Sequence, residues 1–324
     1  MATPAAFLGH GGRLGAARTA WPDAPTPWLD LSTGINPCPY PLPAFAPEAW
    51  SRLPDPSALA ALEQSAGKAF GVEDPARVVA AAGSEALIRL LPRLLGDGRV
   101  AIAEPTYGGH ADAWRAAGAV VTPDARTRVV VNPNNPDGRT FTSDQILALP
   151  GAPLIVDEAF IDAEPALSVA SLAGAPGHER LIVLRSFGKF HGLAGVRLGF
   201  LIAEPGLAAQ VRAAVGDWPI SGPALSVGLA AYADADWARH TRLRLAEDAA
   251  KLDALLRLAG FEGVGGTTLF RLTRAADAPR RFETLARLGI LTRPFAWDET
   301  LIRFGLPGAP AEWLRLILAL EQLS

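Results

Sequence analysis

Between Arg77 and Phe200 short, apolar, β-branched runs alternate with stretches of helical periodicity. The strand candidates are Arg77–Ala82, Arg99–Ala103, Arg128–Val131, Pro153–Val156, Arg180–Leu184 and Leu198–Ile202. Helix candidates Glu85–Leu95, Gly109–Ala117 and Ser143–Leu149 lie between several of them. Such a rhythm joins parallel neighbours, so the expectation is an α/β fold, a mostly parallel sheet covered by helices on both faces. The runs Val129-Val130-Val131 and Leu154-Ile155-Val156 are continuously apolar, as strands buried on both sides require.

Beyond about Gly216 the rhythm changes. Gly222–Ala233 and Ala235–Ala259 read as consecutive helices. Strands near Thr268–Leu272 and Thr300–Phe304 follow, with a helix near Pro279–Leu288 and a closing amphipathic helix Ala311–Leu323. The expected organisation is a large domain over 37–215 and a smaller α+β domain over 216–324. The first 55 residues are rich in proline, glycine and tryptophan, and residues 1–36 are expected to form an extended arm.

A chain of 324 residues has room for both domains. With 49% hydrophobic and 19% charged residues it is neither disordered nor short of core. A net charge of −3 with no run of like charges argues against nucleic acid or an anionic membrane as partner. The single cysteine, Cys38, excludes an internal disulfide framework and a cysteine-cluster metal site. No apolar run reaches membrane-span length and Met1 to Gly15 lack a secretory pattern, so the cytoplasm is expected.

Lysine is scarce. It occurs only at positions 68, 189 and 251, leaving 27 of the 30 basic residues as arginine. Arginine cannot act as an amine nucleophile because its guanidinium stays protonated, so a rare lysine is a candidate for that chemistry. Lys68 and Lys251 fall in helical patterns and read as solvated helix faces. Lys189 sits among glycines and aromatics in Ser186-Phe-Gly-Lys-Phe-His-Gly, without periodicity.

In parallel sheets ligands bind beyond the carboxyl ends of the strands, and polar groups collect at those ends here. Gly83-Ser84-Glu85 leads from a strand into a helix and could cradle a phosphate. Asn132-Pro-Asn-Asn-Pro-Asp-Gly138 exposes asparagine amides, and Asp157-Glu158 places carboxylates at a buried strand end. Ser186 and Lys189 follow the next strand, with Arg197 eight residues on.

Ser186-Phe-Gly-Lys189-Phe-His-Gly-Leu-Ala-Gly-Val-Arg197 resembles the lysine signature of pyridoxal-phosphate enzymes of the aspartate-aminotransferase fold. Asn132-Pro-Asn-Asn-Pro-Asp-Gly and Val156-Asp-Glu-Ala-Phe160 resemble its two other signatures, in the right order, and the likeness runs from about Pro37 to the C-terminus. The resemblance implies pyridoxal 5'-phosphate as cofactor. It implies that Lys189 forms a Schiff base with the cofactor aldehyde and moves protons, and that Asp157 keeps the pyridine nitrogen protonated. Asn135 would donate to the ring oxygen and Tyr107 would stack on the ring. Gly83, Ser84, Glu85, Ser186 and Arg197 would surround the phosphate. Arg303 in Leu301-Ile-Arg-Phe-Gly resembles the arginine that pairs with a substrate carboxylate. A homodimer is the family expectation.

Three positions depart from the pattern: Gly188 replaces a hydroxyl residue, Phe160 a tyrosine, and Leu53-Pro54-Asp55 a tyrosine that reaches a partner's cofactor phosphate. Two subgroups compete, histidinol-phosphate aminotransferases and the threonine-phosphate decarboxylases of cobalamin synthesis. His10-Gly11-Gly12, followed by Leu29-Asp-Leu-Ser-Thr-Gly-Ile-Asn36-Pro37, resembles the decarboxylase opening. The resemblance then implies a substrate site of His10, Asn36, Arg293 and Arg303, and decarboxylation of L-threonine O-3-phosphate to (R)-1-amino-2-propanol O-2-phosphate. Transamination of a histidinol-phosphate-type substrate is the alternative, and a non-enzymatic regulator of this fold the third reading. His110, His178 and His240 read as surface or capping residues, and His191 is undecided.

Overall fold

The computed structural model describes residues 5–323. Two compact units make up the chain. One joins the described residues up to Cys38 with Pro136–Gly138 and the chain from Thr241 onward; the other holds Pro39–Asn135 and Arg139–His240.

In the first unit β1 (Leu29–Asp30) belongs to the arm. In the second, seven strands form one sheet: β2 (Val78–Ala81), β3 (Arg99–Ile102), β4 (Val120–Val121), β5 (Thr127–Val131), β6 (Leu154–Asp157), β7 (Leu181–Ser186) and β8 (Gly199–Ile202), in the order β2-β8-β7-β6-β5-β3-β4. Only β8 runs antiparallel, to both of its neighbours, so the mostly parallel sheet is as expected. Alternation of side chains across the pleat splits its apolar residues between two cores. Val78, Ala80, Val156, Val183 and Phe200 face one core with the helices Pro56–Phe70 and Gly222–Ala233. Val79, Ala81, Ile155, Ile182 and Leu201 face the other with Ser84–Leu95, Gly109–Ala116 and Pro205–Val215.

The border between the units falls after His240 rather than near 216, and packing explains it. On Gly222–Ala233, Gly228 faces Leu62 so closely that a Cβ would lie 2.8 Å from a leucine methyl. That helix is therefore part of the large core. Asp55 caps Pro56–Phe70 by accepting from the Ser57 amide at 2.8 Å, a local reason for an aspartate in Leu53-Pro54-Asp55.

The first unit carries β9 (Glu262–Thr267), β10 (Phe270–Arg274), β11 (Ile290–Leu291), β12 (Arg293–Pro294) and β13 (Leu301–Gly305). Strands β12-β13-β10-β9 form an antiparallel sheet, while β11 pairs in parallel with β1. The arm is thus stitched to the C-terminal residues rather than merely extended, and it contains a helix, Leu14–Ala20. No helix among the described residues is long and apolar enough to cross a membrane.

Candidate active site

Strand β7 ends at Ser186 and turns directly into a one-turn helix, Phe187–Phe190, whose Phe187, Gly188 and Phe190 are buried. That turn points Lys189 into a cavity of about 260 Å³ beyond the carboxyl ends of β5, β6 and β7. Gly83, Ser84, Glu85, Tyr107, Asn135, Asp157, Ser186, Lys189 and Arg197 all line it. All nine positions singled out for the cofactor are therefore brought together in one unit. The Lys189 Nζ lies 5.8 Å from the centroid of the Phe160 ring, so the phenylalanine at this position offers the amine an aromatic face.

Gly188 has a steric cause. A Cβ there would stand 2.6 Å from the Ala194 Cα, so the close approach of the two turns excludes a hydroxyl-bearing side chain.

At one end of the cavity Gly83 adopts φ +86° and leads into Ser84–Leu95, whose first amides point free of helix partners. A Cβ on Gly83 would lie 2.7 Å from Arg197 Nη2, so backbone and guanidinium converge on the same space. Arg197 has φ +57°, the one non-glycine residue in the left-handed region among the described residues, and Nη1 donates to the Ala194 carbonyl at 3.1 Å. Strain of this kind persists where the surroundings enforce it, commonly at a ligand site. Helix amides, a serine and an arginine around a glycine form a cradle suited to a phosphate.

At another wall Asp157 ends β6, buried, with Oδ1 accepting from the Ala159 amide at 3.0 Å. Its Oδ2 lies 2.8 Å from His110 Nε2, and that histidine is buried on the first turn of Gly109–Ala116. The surface or capping role expected for His110 is incorrect: the helix start turns it inward, behind the carboxylate. Its place three residues after Tyr107, in Tyr107-Gly-Gly-His110, was the available signal. Tyr107 donates to Glu85 Oε2 at 3.1 Å; burial, then the Glu85 carboxylate, push its phenol far above the usual range, so it remains a donor. Glu85 in turn pairs with Arg89 at 2.7 Å.

His191 is buried between Phe187 and Trp237, stacked on the first at 4.2 Å and on the second at 5.5 Å. Beneath β6 and β7, Arg185 pairs with Glu158 at 3.1 Å and with Asp162, and its guanidinium lies 4.2 Å from the Phe70 ring centroid. Desolvation raises the Glu158 pKa against the opposing pull of Arg185. A carboxylate at this buried strand end needs a partner to stay charged, and for Glu158 Arg185 supplies it.

A cationic amine, a buried carboxylate, an asparagine and a phosphate cradle around one small cavity fit pyridoxal phosphate. Lys189 would hold its aldehyde, Asp157 its ring nitrogen, and Ser84, Ser186 and Arg197 its phosphate.

The four residues expected to meet substrate lie in the other unit. Arg293 on β12 stands directly opposite Arg303 on β13. Burial, reinforced by the charge of Arg293 and opposed by Asp30, brings Arg303 down to about 9, and burial brings Arg293 down to about 10. Arg303 donates to the Ser32 carbonyl at 3.0 Å. Arg293 donates to the Phe7 carbonyl at 2.7 Å and to that of Gly9, next to the exposed His10. Asn36 is buried, its Oδ1 accepting from Arg244 at 2.6 Å and from the Cys38 amide at 3.0 Å.

The chain is similar to known proteins over nearly its whole length. Threonine-phosphate decarboxylase of Pseudomonas aeruginosa is 42% identical over 97% of this chain and 97% of its own length. A threonine-phosphate decarboxylase of a Sinorhizobium species is 41% identical over 97% and 98%. The fold matches the structure of histidinol-phosphate aminotransferase from Sinorhizobium meliloti in complex with pyridoxal-5'-phosphate, with a TM-score of 0.82 and 19% identity over 95% of this chain and 93% of that one. The profile of aminotransferase class I and II matches residues 36–319, and this chain belongs to that family.

Proposed function

We propose that the protein is a pyridoxal-phosphate-dependent decarboxylase of L-threonine O-3-phosphate, releasing CO2 and (R)-1-amino-2-propanol O-2-phosphate for cobalamin synthesis. The observation that carries this reading is the 42% identity, over nearly the whole of both chains, to a protein of that name. The cavity lined by Lys189, Asp157, Asn135 and Arg197 supports it. When bound, the cofactor supplies an electron sink for the pair left as a bond to the substrate α-carbon breaks.

The protein's own residues do the rest. Lys189 would hold the cofactor through its aldehyde, and its amine would be the group that delivers a proton to the substrate α-carbon. Asp157, held by His110, keeps a proton on the ring nitrogen, since a nearby anion favours that cation. Asn135 donates to the ring oxygen, Tyr107 covers the ring, and Ser84, Ser186 and Arg197 with the Gly83-Ser84-Glu85 backbone anchor the phosphate. His10, Asn36, Arg293 and Arg303 serve the substrate's carboxylate and phosphate. Which bond to the α-carbon breaks would depend on how the substrate is held, so the groups that orient its two anions would choose between loss of CO2 and loss of the α-proton. A carboxylate destined to leave as neutral CO2 should be oriented rather than gripped, because a firm grip favours the ground state.

The reading includes a cytoplasmic homodimer. The cavity edge that contains Arg197 continues into an exposed apolar face of Leu42, Trp50, Leu53 and Trp218, suited to a second copy.

Incubation with threonine phosphate, and separately with histidinol phosphate plus 2-oxoglutarate, tests the reaction. CO2 and an amino-alcohol phosphate from the first, without glutamate from the second, is the expected result. Glutamate formation without CO2 would replace it with transamination.

A further inference from the structure

Two residues beside the cofactor site point away from it. Asp157 and Ser186 line the cavity. Side chains alternate along a strand, so their neighbours Glu158 and Arg185 turn to the other face of the sheet, into the core that holds Val156, Val183 and Phe70. The strands are in register at this level: Asp157 stands opposite Leu184, and the Glu158 amide donates to the Leu184 carbonyl at 2.8 Å. Glu158 and Arg185 therefore meet across the carboxyl ends of β6 and β7, directly after Asp157 and directly before Ser186.

Both oxygens of Glu158 are engaged. Oε2 accepts from Arg185 Nη1 at 3.1 Å and from Ser168 Oγ at 2.7 Å, and Oε1 accepts from the Val169 amide at 2.7 Å. Arg185 donates in addition to Ser168 Oγ at 3.3 Å and, through Nη2, to Asp162. The carboxylate thus closes the chain between Glu158 and Ser168 into a loop, and Ala159 and Phe160 at its start line the cavity. Burial works against the Arg185 charge, but Asp162 and Glu158 outweigh it and raise its pKa, so the guanidinium stays charged.

Stability alone does not call for these charges. Phe70, Phe187 and Phe200 belong to the same core, and a buried ion pair exchanged for packed apolar residues of like volume often costs nothing. What apolar residues would not supply is direction. A planar guanidinium holds two carboxylates and a hydroxyl at fixed angles, which ties one strand end to the other.

We propose that Arg185 and Glu158 are positioning residues for the cofactor: by locking the ends of β6 and β7 from the far face of the sheet, they set where Asp157 stands relative to Lys189. This role rests on the reading of Asp157 and Lys189 as cofactor ligands, which it deepens. Neither residue lines the cavity. They act through the strand ends, because the pull of Asp157 on a ring-nitrogen proton depends on distance.

The test compares the full-length wild type with D157N, E158Q, R185K and E158L/D162N/R185M, the last of which removes all three charges and keeps the core filled. Three quantities are read: the dissociation constant for pyridoxal phosphate, the pH midpoint of the change in the bound cofactor's visible absorption, and the thermal midpoint of the apoprotein. In E158Q the dissociation constant should rise roughly tenfold, and the pH midpoint should move in the same direction as in D157N, by less. R185K should behave likewise, since one ammonium cannot span Glu158 and Asp162 as the fork does. The triple variant should melt close to the wild type yet show the same weakened binding and displaced pH midpoint. Wild-type affinity and pH midpoint in E158Q, or in a folded triple variant, would make the pair a structural prop and overturn the proposal. Should the triple variant fail to fold, E158Q and R185K decide by the same two readouts. If D157N leaves both readouts at their wild-type values, the reading of Asp157 falls and the positioning role with it. If D157N moves them and the pair variants do not, the positioning role alone falls.

Discussion

At the scale of single residues, Asp157 and Arg303 are two buried charged groups whose surroundings can be tested directly. Asp157 keeps company with His110 at 2.8 Å and one backbone amide. Removing the histidine leaves a buried carboxylate short of a donor, a loss of about 1.5–3 kcal/mol, or roughly ten- to a hundredfold in kcat. H110F should show that fall on threonine phosphate, while H110Q, which keeps a donor, should recover much of it. Equal rates in H110F and the wild type would detach His110 from the chemistry. Arg303 titrates near 9 because burial and Arg293 disfavour its charge. The folded state holds this proton more weakly than the unfolded chain, so the charge costs stability below about pH 9, and that cost is relieved as pH rises from there towards the unfolded range. Anion binding needs the charged form. The kcat/KM for threonine phosphate should therefore decline as pH passes about 9, and R303Q should be roughly a hundredfold lower without that limb. An identical alkaline limb in R303Q would assign it to another group.

At the scale of elements, strands with a continuous apolar run were legible because burial on both faces leaves that mark, and β5, β6 and β7 follow it to within about two residues. The two-residue β4 is too short to have a period, and β9 reads Glu-Gly-Val-Gly-Gly-Thr, where glycines hide the alternation. The helix Leu14–Ala20 lies in a proline- and glycine-rich stretch and owes its place to tertiary packing. Motif spacing made the cavity legible, since each motif sits at a strand end. His110 and the Arg185 partnership were not legible, because what turns a side chain inward is the course of the backbone in three dimensions. The turn between β2 and Ser84–Leu95 illustrates the point: a single glycine carries both the backbone angle and the space for Arg197. In G83A the methyl group would meet the guanidinium, and an alanine at φ +86° adds strain of about 1–2 kcal/mol. The dissociation constant for pyridoxal phosphate should rise roughly tenfold or more, with the thermal midpoint of the apoprotein little changed. Wild-type cofactor affinity in G83A would remove this turn from the phosphate cradle.

At the scale of the whole molecule, the distribution of exposed apolar surface is uneven. Trp50 is 69% exposed, Leu53 67%, Leu42 59% and Trp218 54%, and all four line one open cavity with Arg197 at its edge. Scattered single apolar residues need no explanation, but two tryptophans and two leucines on one face mark a surface made to be covered. A second copy of this chain would cover it with the same residues, as a two-fold interface does. Stable interfaces bury about 800 Å² per partner, and their cores favour aromatic anchors of this kind. Charges placed at the centre of such a face would be buried unpaired in a dimer yet remain solvated in a monomer. The wild type should therefore sediment as a dimer, and W50E/L53E as a folded monomer at the same concentration. Because Arg197 borders both this face and the cofactor cavity, the monomer should also bind pyridoxal phosphate more weakly. A wild-type protein that sediments as an active monomer, or a double variant that stays dimeric, would show that this face serves another purpose.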